Sequence, residues 1–314
     1  MRIPTLEDVR AAARRIAPHV HRTPVLTSAT LDREVGAAVF FKCENLQKCG
    51  AFKARGAANA VFALDAAAAR AGVITHSSGN HGAALAYAAG RRGIACTVVV
   101  PEDAPEVKVA AMRGYGAEVV FCKRAERDAV CARLAAERGA TLVPPFDDFH
   151  VVAGQGTAAL ELIEEVPGLD AVVAPVGGGG LLAGTAIATR ALLPRARVLG
   201  AEPEAVDDAA RSLATGVRQP GVSGAKTLAD GLMTGLGELN FAVLRDLAGE
   251  IVTVSEAAMR DAARFLVERM KLVVEPSGAV GLAAVRARAE GLRGRRVGVI
   301  LSGGNTDLRW LHQP

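Results

Sequence analysis

Short apolar segments rich in β-branched residues recur along this chain, and they narrow its possible folds more than any other feature. Each segment lacks alternation and ends at a Gly, a Pro or a polar cluster, which is typical of strands buried on both faces of a parallel sheet. The segments are residues 73–76, 95–100, 117–121, 171–176, 197–201 and 297–301. Helical segments, 57–71 and 80–90 among them, lie between these strands. The pattern predicts an α/β fold that binds its ligands at the carboxyl ends of the strands.

The composition agrees with such a fold and with a chain of two domains. The 314 residues are half apolar but only 4 % aromatic, so small aliphatic residues and Gly must fill the space between helices and sheet. The Pro-containing segment 143–149 separates the two groups of predicted strands. We predict a large domain of residues 1–62 and 148–314 and a small, mobile domain of residues 63–147. Each is expected to be an open, mostly parallel sheet flanked by helices.

Several classes of protein can be argued against from the net charge, the cysteine spacing and the N-terminal residues. The net charge of +4 is small and no Lys/Arg run marks a polyanion-binding face, so we expect no nucleic-acid partner. The five cysteines are irregularly spaced and form neither a CxxC pair nor a disulfide framework. No apolar run is long enough to span a bilayer, and the N-terminus lacks a signal peptide. We therefore expect a cytoplasmic protein that does not bind membranes.

One lysine lies between two glycines in the segment 49–56 (CGAFKARG). Gly50 and Gly56 permit a tight turn and the close approach of a ligand. Helix-favouring residues from Ala54 onward predict that Lys53 begins a helix. In a partly apolar pocket the pKa of a lysine falls, and its amine can then form a Schiff base with an aldehyde cofactor. A solvated lysine on a helix surface is the alternative.

The segment 77–82 (SSGNHG) follows the predicted strand at 73–76 and leads into a helix. Free backbone N–H groups at a helix N-terminus bind anions, and the Asn80 side chain can donate to a phenolate-like oxygen. An ordinary helix N-cap by one of these polar residues is the alternative.

Four glycines, residues 177–180, follow the predicted strand at 171–176. Their cost in backbone entropy is hard to explain by packing, whereas a nest of backbone N–H groups around a monophosphate explains it well. The segment does not match the dinucleotide fingerprint or the P-loop, and a flexible linker is the alternative. After the last strand, Ser302 in the segment 302–305 (SGGN) can hydrogen-bond a ring nitrogen or belong to a simple turn.

Together, these segments resemble, in order and spacing, the fold-type II pyridoxal-phosphate enzymes, which share the fold of the tryptophan synthase β subunit. Within that group the chain is most similar to the serine racemase and serine/threonine dehydratase (threonine ammonia-lyase) family. The resemblance extends from the segment 23–27 (TPVLT) to the final SGGN, which is nearly the whole chain. It implies that the larger domain binds pyridoxal 5′-phosphate.

The resemblance implies a role for each motif. Lys53 would carry the cofactor as a Schiff base (aldimine). The cofactor-binding residues would be Phe52, Lys53, Asn80, Gly177, Gly178, Gly179, Gly180, Leu181 and Ser302, of which Phe52 lies beside the ring, Asn80 at the 3′-oxygen, 177–181 at the phosphate and Ser302 at the pyridine nitrogen. The substrate would be held by Ser77, Ser78, Asn80, His81 and Arg133, the last matching an arginine that the family places near the active site.

The implied activity is an ammonia-lyase (dehydratase) that converts L-threonine or L-serine to 2-oxobutanoate or pyruvate and ammonia. Lys53 would take the α-proton as general base, and the β-hydroxyl would then leave. A neutral hydroxyl from Ser302 at the ring nitrogen weakens the ring as an electron sink, which favours prompt loss of that hydroxyl. The partner implied is a small amino acid, and the family expectation for assembly is a homodimer.

Four alternatives stay open. The weakest is a β-replacement enzyme that makes cysteine or cystathionine, whose family usually shows an asparagine-rich substrate loop and a different lysine context. Racemisation of serine needs acid/base groups on opposite faces of the substrate, and the resemblance implies that Lys53 and Ser78 form such a pair. A 3-hydroxyaspartate dehydratase would need an additional positive group for the side-chain carboxylate, and the sequence does not identify one. A non-catalytic protein that binds the cofactor is a further alternative, against which the full set of motifs argues.

The resemblance also implies a divalent-cation site in the segment 200–208 (GAEPEAVDD). Its ligands would be the carboxylates of Glu202 and Asp208 and the carbonyl of Val206. Oxygen ligands completed by water suit Mg²⁺, Mn²⁺ or Ca²⁺. A solvated acidic loop is the alternative.

The chain also departs from the family pattern. Ala51 replaces a serine that usually precedes Phe-Lys, and Ala83 replaces a glutamine of the nucleotide-activator site of animal racemases. Tyr115 of that activator site is kept, so the sequence leaves ATP activation open. The chain ends shortly after Ser302, without the regulatory domain of the biosynthetic threonine deaminases, and we therefore expect a catabolic or stand-alone role.

Overall fold

The computed structural model describes residues 2–104 and 106–312, which form two β-sheets flanked by helices. The strands are β1 Val25–Thr27, β2 Ala38–Cys43, β3 Val73–His76, β4 Cys96–Pro101, β5 Glu118–Cys122, β6 Thr141–Leu142, β7 Ala171–Pro175, β8 Arg197–Pro203, β9 Glu250–Val254 and β10 Arg296–Leu301. The helices are α1 Leu6–Ile16, α2 Ala29–Val35, α3 Lys53–Ala63, α4 Ala66–Ala71, α5 Asn80–Arg92, α6 Glu106–Gly114, α7 Arg127–Arg138, α8 Phe149–Glu165, α9 Gly180–Leu192, α10 Asp208–Thr215, α11 Glu238–Leu247, α12 Glu256–Met270, α13 Pro276–Ala287 and α14 Ala289–Leu292.

The larger sheet has six strands in the order β1-β2-β10-β7-β8-β9, and the smaller has four in the order β5-β4-β3-β6. Within the described part of the chain, every strand pairing is parallel except that of β1 with β2. The strands of the smaller sheet all lie between residues 73 and 142, and those of the larger sheet come from before and after this stretch. Two open, mostly parallel α/β sheets are therefore confirmed, while the exact domain boundaries stay a prediction.

The six predicted strands coincide with β3, β4, β5, β7, β8 and β10 to within two residues at each end. The single helix predicted over 57–71 is wrong, because the chain forms α3 and then α4 there. Asp65 separates the two helices. Its carboxylate accepts hydrogen bonds from the backbone N–H groups of Ala67 and Ala68, both at 2.9 Å. A side chain that caps a new helix N-terminus overrides the good helix propensity of the surrounding alanines.

Helix α8 packs closely against α3 and against α9. A Cβ atom on Gly184 of α9 would lie 2.6 Å from the carbonyl oxygen of Val152 on α8. A Cβ atom on Gly56 of α3 would lie 2.9 Å from the carbonyl oxygen of Val151, again on α8. These distances exclude any larger residue without a backbone shift, so Gly56 sets how closely α3 lies against α8, and Gly184 sets the same for α9.

A buried ion network holds the start of α3 in place. The guanidinium of Arg55, which is fully buried, donates to both oxygens of Glu44 at 2.7 and 2.8 Å. It also donates to both oxygens of Glu161 on α8, at 2.7 and 2.8 Å. The buried Lys42 completes the network through a 2.7 Å ion pair with Glu161. Two cations thus meet two carboxylates, and the buried charge is balanced.

No helix among residues 2–104 and 106–312 combines the length and apolar character needed to cross a membrane.

We predict that Arg55→Ala lowers the free energy of unfolding by about 3–5 kcal/mol, because it leaves two buried carboxylates without their partner. Arg133→Ala is the matched control, since Arg133 makes an exposed ion pair with Glu137 one helical turn away, and such pairs contribute about 0–1 kcal/mol. Urea unfolding of both variants followed by circular dichroism measures the difference. Equal losses in the two variants would contradict the importance of the buried network.

Candidate functional site

The site is built where β7 and β10, neighbouring strands of the large sheet, end at their carboxyl edge. The four glycines follow β7, and Ser302 follows β10 directly. The Ser302 carbonyl accepts a 3.0 Å hydrogen bond from the backbone N–H of Phe52, and Ala51 forms an isolated antiparallel bridge with Gly303. These contacts fix the segment before Lys53 to the end of β10. The sheet therefore brings together three motifs that are far apart in the sequence.

Lys53 is the first residue of α3, as predicted. Its amine donates a 2.6 Å hydrogen bond to the carbonyl oxygen of Pro145 and lies 5.1 Å from the centre of the Phe52 ring. Desolvation by burial lowers the pKa of the Lys53 amine from its ordinary value of 10.5 to about 8. A substantial fraction of this amine is therefore neutral and nucleophilic near neutral pH.

The glycine segment 177–180 forms a narrow nest that leads into α9. Gly179 has a φ of +90°, a left-handed conformation that a residue with a side chain rarely adopts. A Cβ atom on Gly178 would overlap the Phe146 ring, and the Gly178 carbonyl accepts a 2.7 Å hydrogen bond from the Asn240 amide. Backbone N–H groups at the start of a helix, with no side chains in the way, suit a phosphate group.

The polar loop after β3 belongs to the small domain and leads into α5. The Ser77 hydroxyl accepts a 3.2 Å hydrogen bond from the backbone N–H of Gly79, and Ser78 is half-buried beside it. The first backbone N–H groups of α5 have no acceptor within the helix, so they are available to an anion such as a substrate carboxylate.

The Asn80 side chain is held at both ends of its amide group. Its Nδ2 donates to the buried carboxylate of Glu275 at 2.8 Å, and its Oδ1 accepts from the Asn305 amide at 2.9 Å. Burial, with a further contribution from Asp230, raises the pKa of Glu275 to about 8. Asn80 retains one N–H for a ligand, which is compatible with its predicted role at the 3′-oxygen.

The His81 imidazole makes a structural contact instead of facing a ligand. Its ring is buried and lies 3.0 Å from the carbonyl oxygen of Val143, which can only accept, so Nε2 carries the proton. Burial, together with the positive charge of Lys53, lowers the pKa of His81 to about 3 and keeps the ring neutral. Nδ1 is then an acceptor and cannot bind a carboxylate. Any contribution of His81 to substrate binding would come from its backbone N–H.

The structure does not bring Arg133 to this site. Its side chain, 59 % exposed on α7, pairs with Glu137 at 2.8 Å. Arg127, the first residue of α7, lies closer, since its charge acts on His76 at the end of β3, next to the substrate loop. The sequence alone did not distinguish the two arginines, because both belong to one helical segment; which of them lies near β3 depends on how α7 packs.

The segment predicted to bind a cation contains two buried carboxylates. Both oxygens of Glu202 accept hydrogen bonds, from the N–H groups of Ala209 at 3.0 Å and Ala210 at 2.8 Å, and Asp208 accepts from Leu236 at 2.9 Å. Burial raises the pKa of Glu202 to about 8 and raises that of Asp208. The described residues contain no group of three or more His, Cys, Asp or Glu side chains arranged for a metal. These two carboxylates and the Val206 carbonyl would need water as further ligands, and the cation site stays a prediction.

The residues present fit pyridoxal phosphate. A Cβ atom at any of the four glycines 177–180 would come within 3.0 Å of a neighbouring protein atom, so the backbone of this segment carries no side chains; Lys53 has a desolvated amine, and Ser302 is a buried hydroxyl at the end of β10. Leu181 is buried in the first turn of α9, directly after the nest.

Sequence reasoning missed several residues of the site. Pro145 and Phe146 lie in a segment that the sequence showed only as a connection between domains, and Glu275 precedes α13 without any motif. Asn305 belongs to the SGGN segment, and its place in that motif was the sequence signal that could have identified it. The contacts of Pro145 with Lys53 and of Glu275 with Asn80 join residues that are 92 and 195 positions apart, and Phe146 meets Gly178 from a separate segment, which local pattern does not reveal.

The chain was compared with known proteins. Residues 16–303 match the family model described as "Pyridoxal-phosphate dependent enzyme". The beta-hydroxyaspartate dehydratase of Paracoccus denitrificans is 49 % identical over 310 residues, which cover 98 % of each chain. The crystal structure of serine racemase from Dictyostelium discoideum superposes with a TM-score of 0.93 at 47 % identity, covering 97 % of this chain and 99 % of that one. The crystal structure of the T.th. threonine deaminase gives a TM-score of 0.93 at 48 % identity, with the same coverage.

We predict that Gly178→Ala weakens pyridoxal phosphate binding by on the order of tenfold or more, because overpacking against Phe146 costs about 1–3 kcal/mol. The dissociation constant is measured by titrating the apoprotein with the cofactor. Gly291→Ala is the control, since a Cβ atom on that glycine of α14 would meet nothing within 4 Å. Unchanged affinity in Gly178→Ala would argue against the nest as the phosphate site.

The lowered pKa of Lys53 predicts how covalent attachment of the cofactor depends on pH. With a pKa of about 8, the neutral fraction of the amine rises about tenfold from pH 7 to pH 9 and then levels off; an unshifted lysine would gain about a hundredfold over that interval. Attachment of pyridoxal phosphate to the apoprotein is followed by borohydride trapping and mass spectrometry, with Lys53→Ala as the control for attachment elsewhere. A hundredfold gain would contradict a desolvated Lys53.

Proposed function

Because the chain belongs to the pyridoxal-phosphate dependent enzymes, we propose that it is an ammonia-lyase that acts on β-hydroxy amino acids, with L-threonine and L-serine as substrates. The observation that carries the proposal is the Lys53 amine, which has a pKa of about 8 and lies at the start of α3 beside the buried Ser302 segment. A base with a pKa near the working pH is well suited to abstracting an α-proton. When bound, pyridoxal phosphate supplies the electron sink that the α-carbon requires.

The residues around Lys53 would bind and orient the substrate. The first N–H groups of α5 and the Ser77 hydroxyl would hold the α-carboxylate, and the positive end of the helix dipole would favour it. Arg127 also lies near the end of β3, but it pairs with Asp128 at 3.2 Å, and Asp128 opposes its charge at His76. With the carboxylate bound on this side, Lys53 would hold and move the α-proton while the β-hydroxyl leaves as water.

Desolvation of the Lys53 amine supports its role as the base. Phe146 packs against the glycine nest, and the carbonyl oxygen of Pro145 accepts a hydrogen bond from the amine. Desolvation lowers the basicity of the amine, so more of it is neutral and able to take a proton near neutral pH. A divalent cation between Glu202 and Asp208, where burial raises both pKa values, would stabilise the segment that leads into α10; we include it in the proposal.

Serine racemisation is a second candidate, because Ser78 lies in the loop before α5 and one of the similar structures is a serine racemase. A proton returned to the α-carbon from the face opposite Lys53 would invert the configuration, and a serine hydroxyl can return it. Elimination requires Lys53 alone. The two activities can therefore be separated by changing Ser78.

We predict that Ser78→Ala keeps oxo-acid formation from L-threonine to within a few-fold but lowers formation of D-serine from L-serine by on the order of 10²-fold, the usual contribution of one acid/base group. Both products are measured in the same samples, and Lys53→Ala should abolish both. Fast oxo-acid formation with little D-serine in the unchanged protein would favour the lyase. Absence of both products with the cofactor bound would contradict the proposal.

A further inference from the structure

An ion pair joins helix α6 of the small domain to a turn of the large domain beside the site. The Lys108 amine on α6 lies 2.6 Å from a carboxylate oxygen of Asp230, which begins a short 3₁₀ turn, Asp230–Leu232. The two residues are 122 positions apart in the sequence. Helix α6 packs beside α5 and β5 of the small domain, and the turn is anchored to α13, where the Ser277 hydroxyl accepts a 3.0 Å hydrogen bond from the backbone N–H of Gly231.

Both partners of this pair lie next to binding elements of the site. The Lys108 amine is 3.8 Å from the position that a Cβ atom on Gly79 would occupy, so it lies beside the substrate loop. At the other end of the turn, the Cα atom of Leu232 would be 2.9 Å from a Cβ atom on Gly177 in the glycine nest. The Lys108 amine is therefore positioned between the loop that would hold the α-carboxylate and the turn that lines the nest.

The charge of Lys108 acts within the site. Burial is the main reason that the pKa of Glu275 is raised, Asp230 raises it further, and Lys108 opposes both. The charges of Lys108 and Asp230 are thus close enough to influence the pKa of the Glu275 carboxylate, which accepts a hydrogen bond from Asn80. The Lys108 side chain is only 22 % exposed, and an ammonium group has three donors, of which Asp230 occupies one.

A purely structural role explains this arrangement poorly. The Asp230 side chain is 55 % exposed, and an ion pair with one well-solvated partner adds little to stability. A half-buried cation beside the substrate loop can instead bind a negatively charged ligand strongly, because a charge-assisted hydrogen bond strengthens as water is excluded.

We propose that Lys108 binds the side-chain carboxylate of the substrate and gives this site a preference for acidic β-hydroxy amino acids, the 3-hydroxyaspartates. This proposal depends on the proposed ammonia-lyase function. Serine, threonine and 3-hydroxyaspartate carry H, CH₃ and COO⁻ on the β-carbon, and only the last offers a partner to the donors of Lys108 that Asp230 leaves free. With neutral substrates, Asp230 keeps the lysine neutralised and ordered.

The first test compares kcat/KM of the holoenzyme for L-serine, L-threonine and both diastereomers of L-3-hydroxyaspartate. Lys108→Met should lower kcat/KM for a 3-hydroxyaspartate by about 10- to 100-fold, mainly through a higher KM, and change the values for serine and threonine by less than about threefold. Lys108→Arg should recover part of the loss. The control is Lys123→Met, which removes an exposed cation of the small domain and should leave all substrates unaffected.

An equal loss for all substrates in Lys108→Met would overturn the proposal and assign Lys108 a general role in binding the α-carboxylate or in closing the domains. An unchanged kcat/KM for 3-hydroxyaspartate would overturn it as well. Activity of the unchanged enzyme on serine or threonine but on neither 3-hydroxyaspartate would refute the side-chain subsite and leave the ammonia-lyase function intact.

A binding experiment tests the subsite without any elimination. L-Aspartate has the side-chain carboxylate but no β-hydroxyl to lose, and L-2-aminobutyrate is its uncharged counterpart. Thermal shifts of the holoenzyme should show tighter binding of L-aspartate than of L-2-aminobutyrate, and Lys108→Met should remove that difference. This result without oxo-acid formation from any substrate would support the subsite while refuting the ammonia-lyase function. Equal binding of the two amino acids would overturn the subsite.

Discussion

The structure depends on the fully buried guanidinium of Arg55, which binds two carboxylates at once. Glu44 follows β2 of the large sheet, and Glu161 belongs to α8, so a single side chain joins the sheet, α8 and the start of α3. Because breaking a buried ion pair leaves an uncompensated charge, losing any one partner of this joint is strongly destabilising. The nucleophilic Lys53 lies two residues before Arg55 on the same helix, and the network therefore fixes the position of the reactive amine.

The site is assembled from both sheets. The large sheet provides the glycine nest and Ser302, and the small sheet provides the loop before α5. Among the contacts that connect them across the site are the hydrogen bond of Asn80 with Glu275 and the ion pair of Lys108 with Asp230. Both contacts involve residues that would face a bound ligand, so the ligand and the relative position of the domains are coupled by the same polar groups. The shape and the charge of the site thus depend on the contacts between the two domains as much as on either domain alone.

Local sequence reasoning succeeded where one segment carries all the information. The buried strands were found from their unalternating apolar runs, and the start of α3 at Lys53 was found from the residues that follow it. It failed on the helix over 57–71, because the short-range cap formed by Asp65 competes with helix propensity. It also did not reveal the surroundings of His81 and Arg133, which come from Val143 and from the exposed face of α7. Composition and spacing contain no information on such surroundings.

The sequence by itself determined the α/β class, the six buried strands β3, β4, β5, β7, β8 and β10 and the motifs expected to bind the cofactor, because buried parallel strands and glycine nests impose strict local requirements on residue type. The tertiary structure alone decided which polar side chains meet. Glu275 reaches Asn80 across 195 positions and Lys108 reaches Asp230 across 122, through the packing of one domain on the other. It also decided the pKa of Lys53, since that value depends on the water excluded by the surrounding residues, and desolvation is a property of the folded chain.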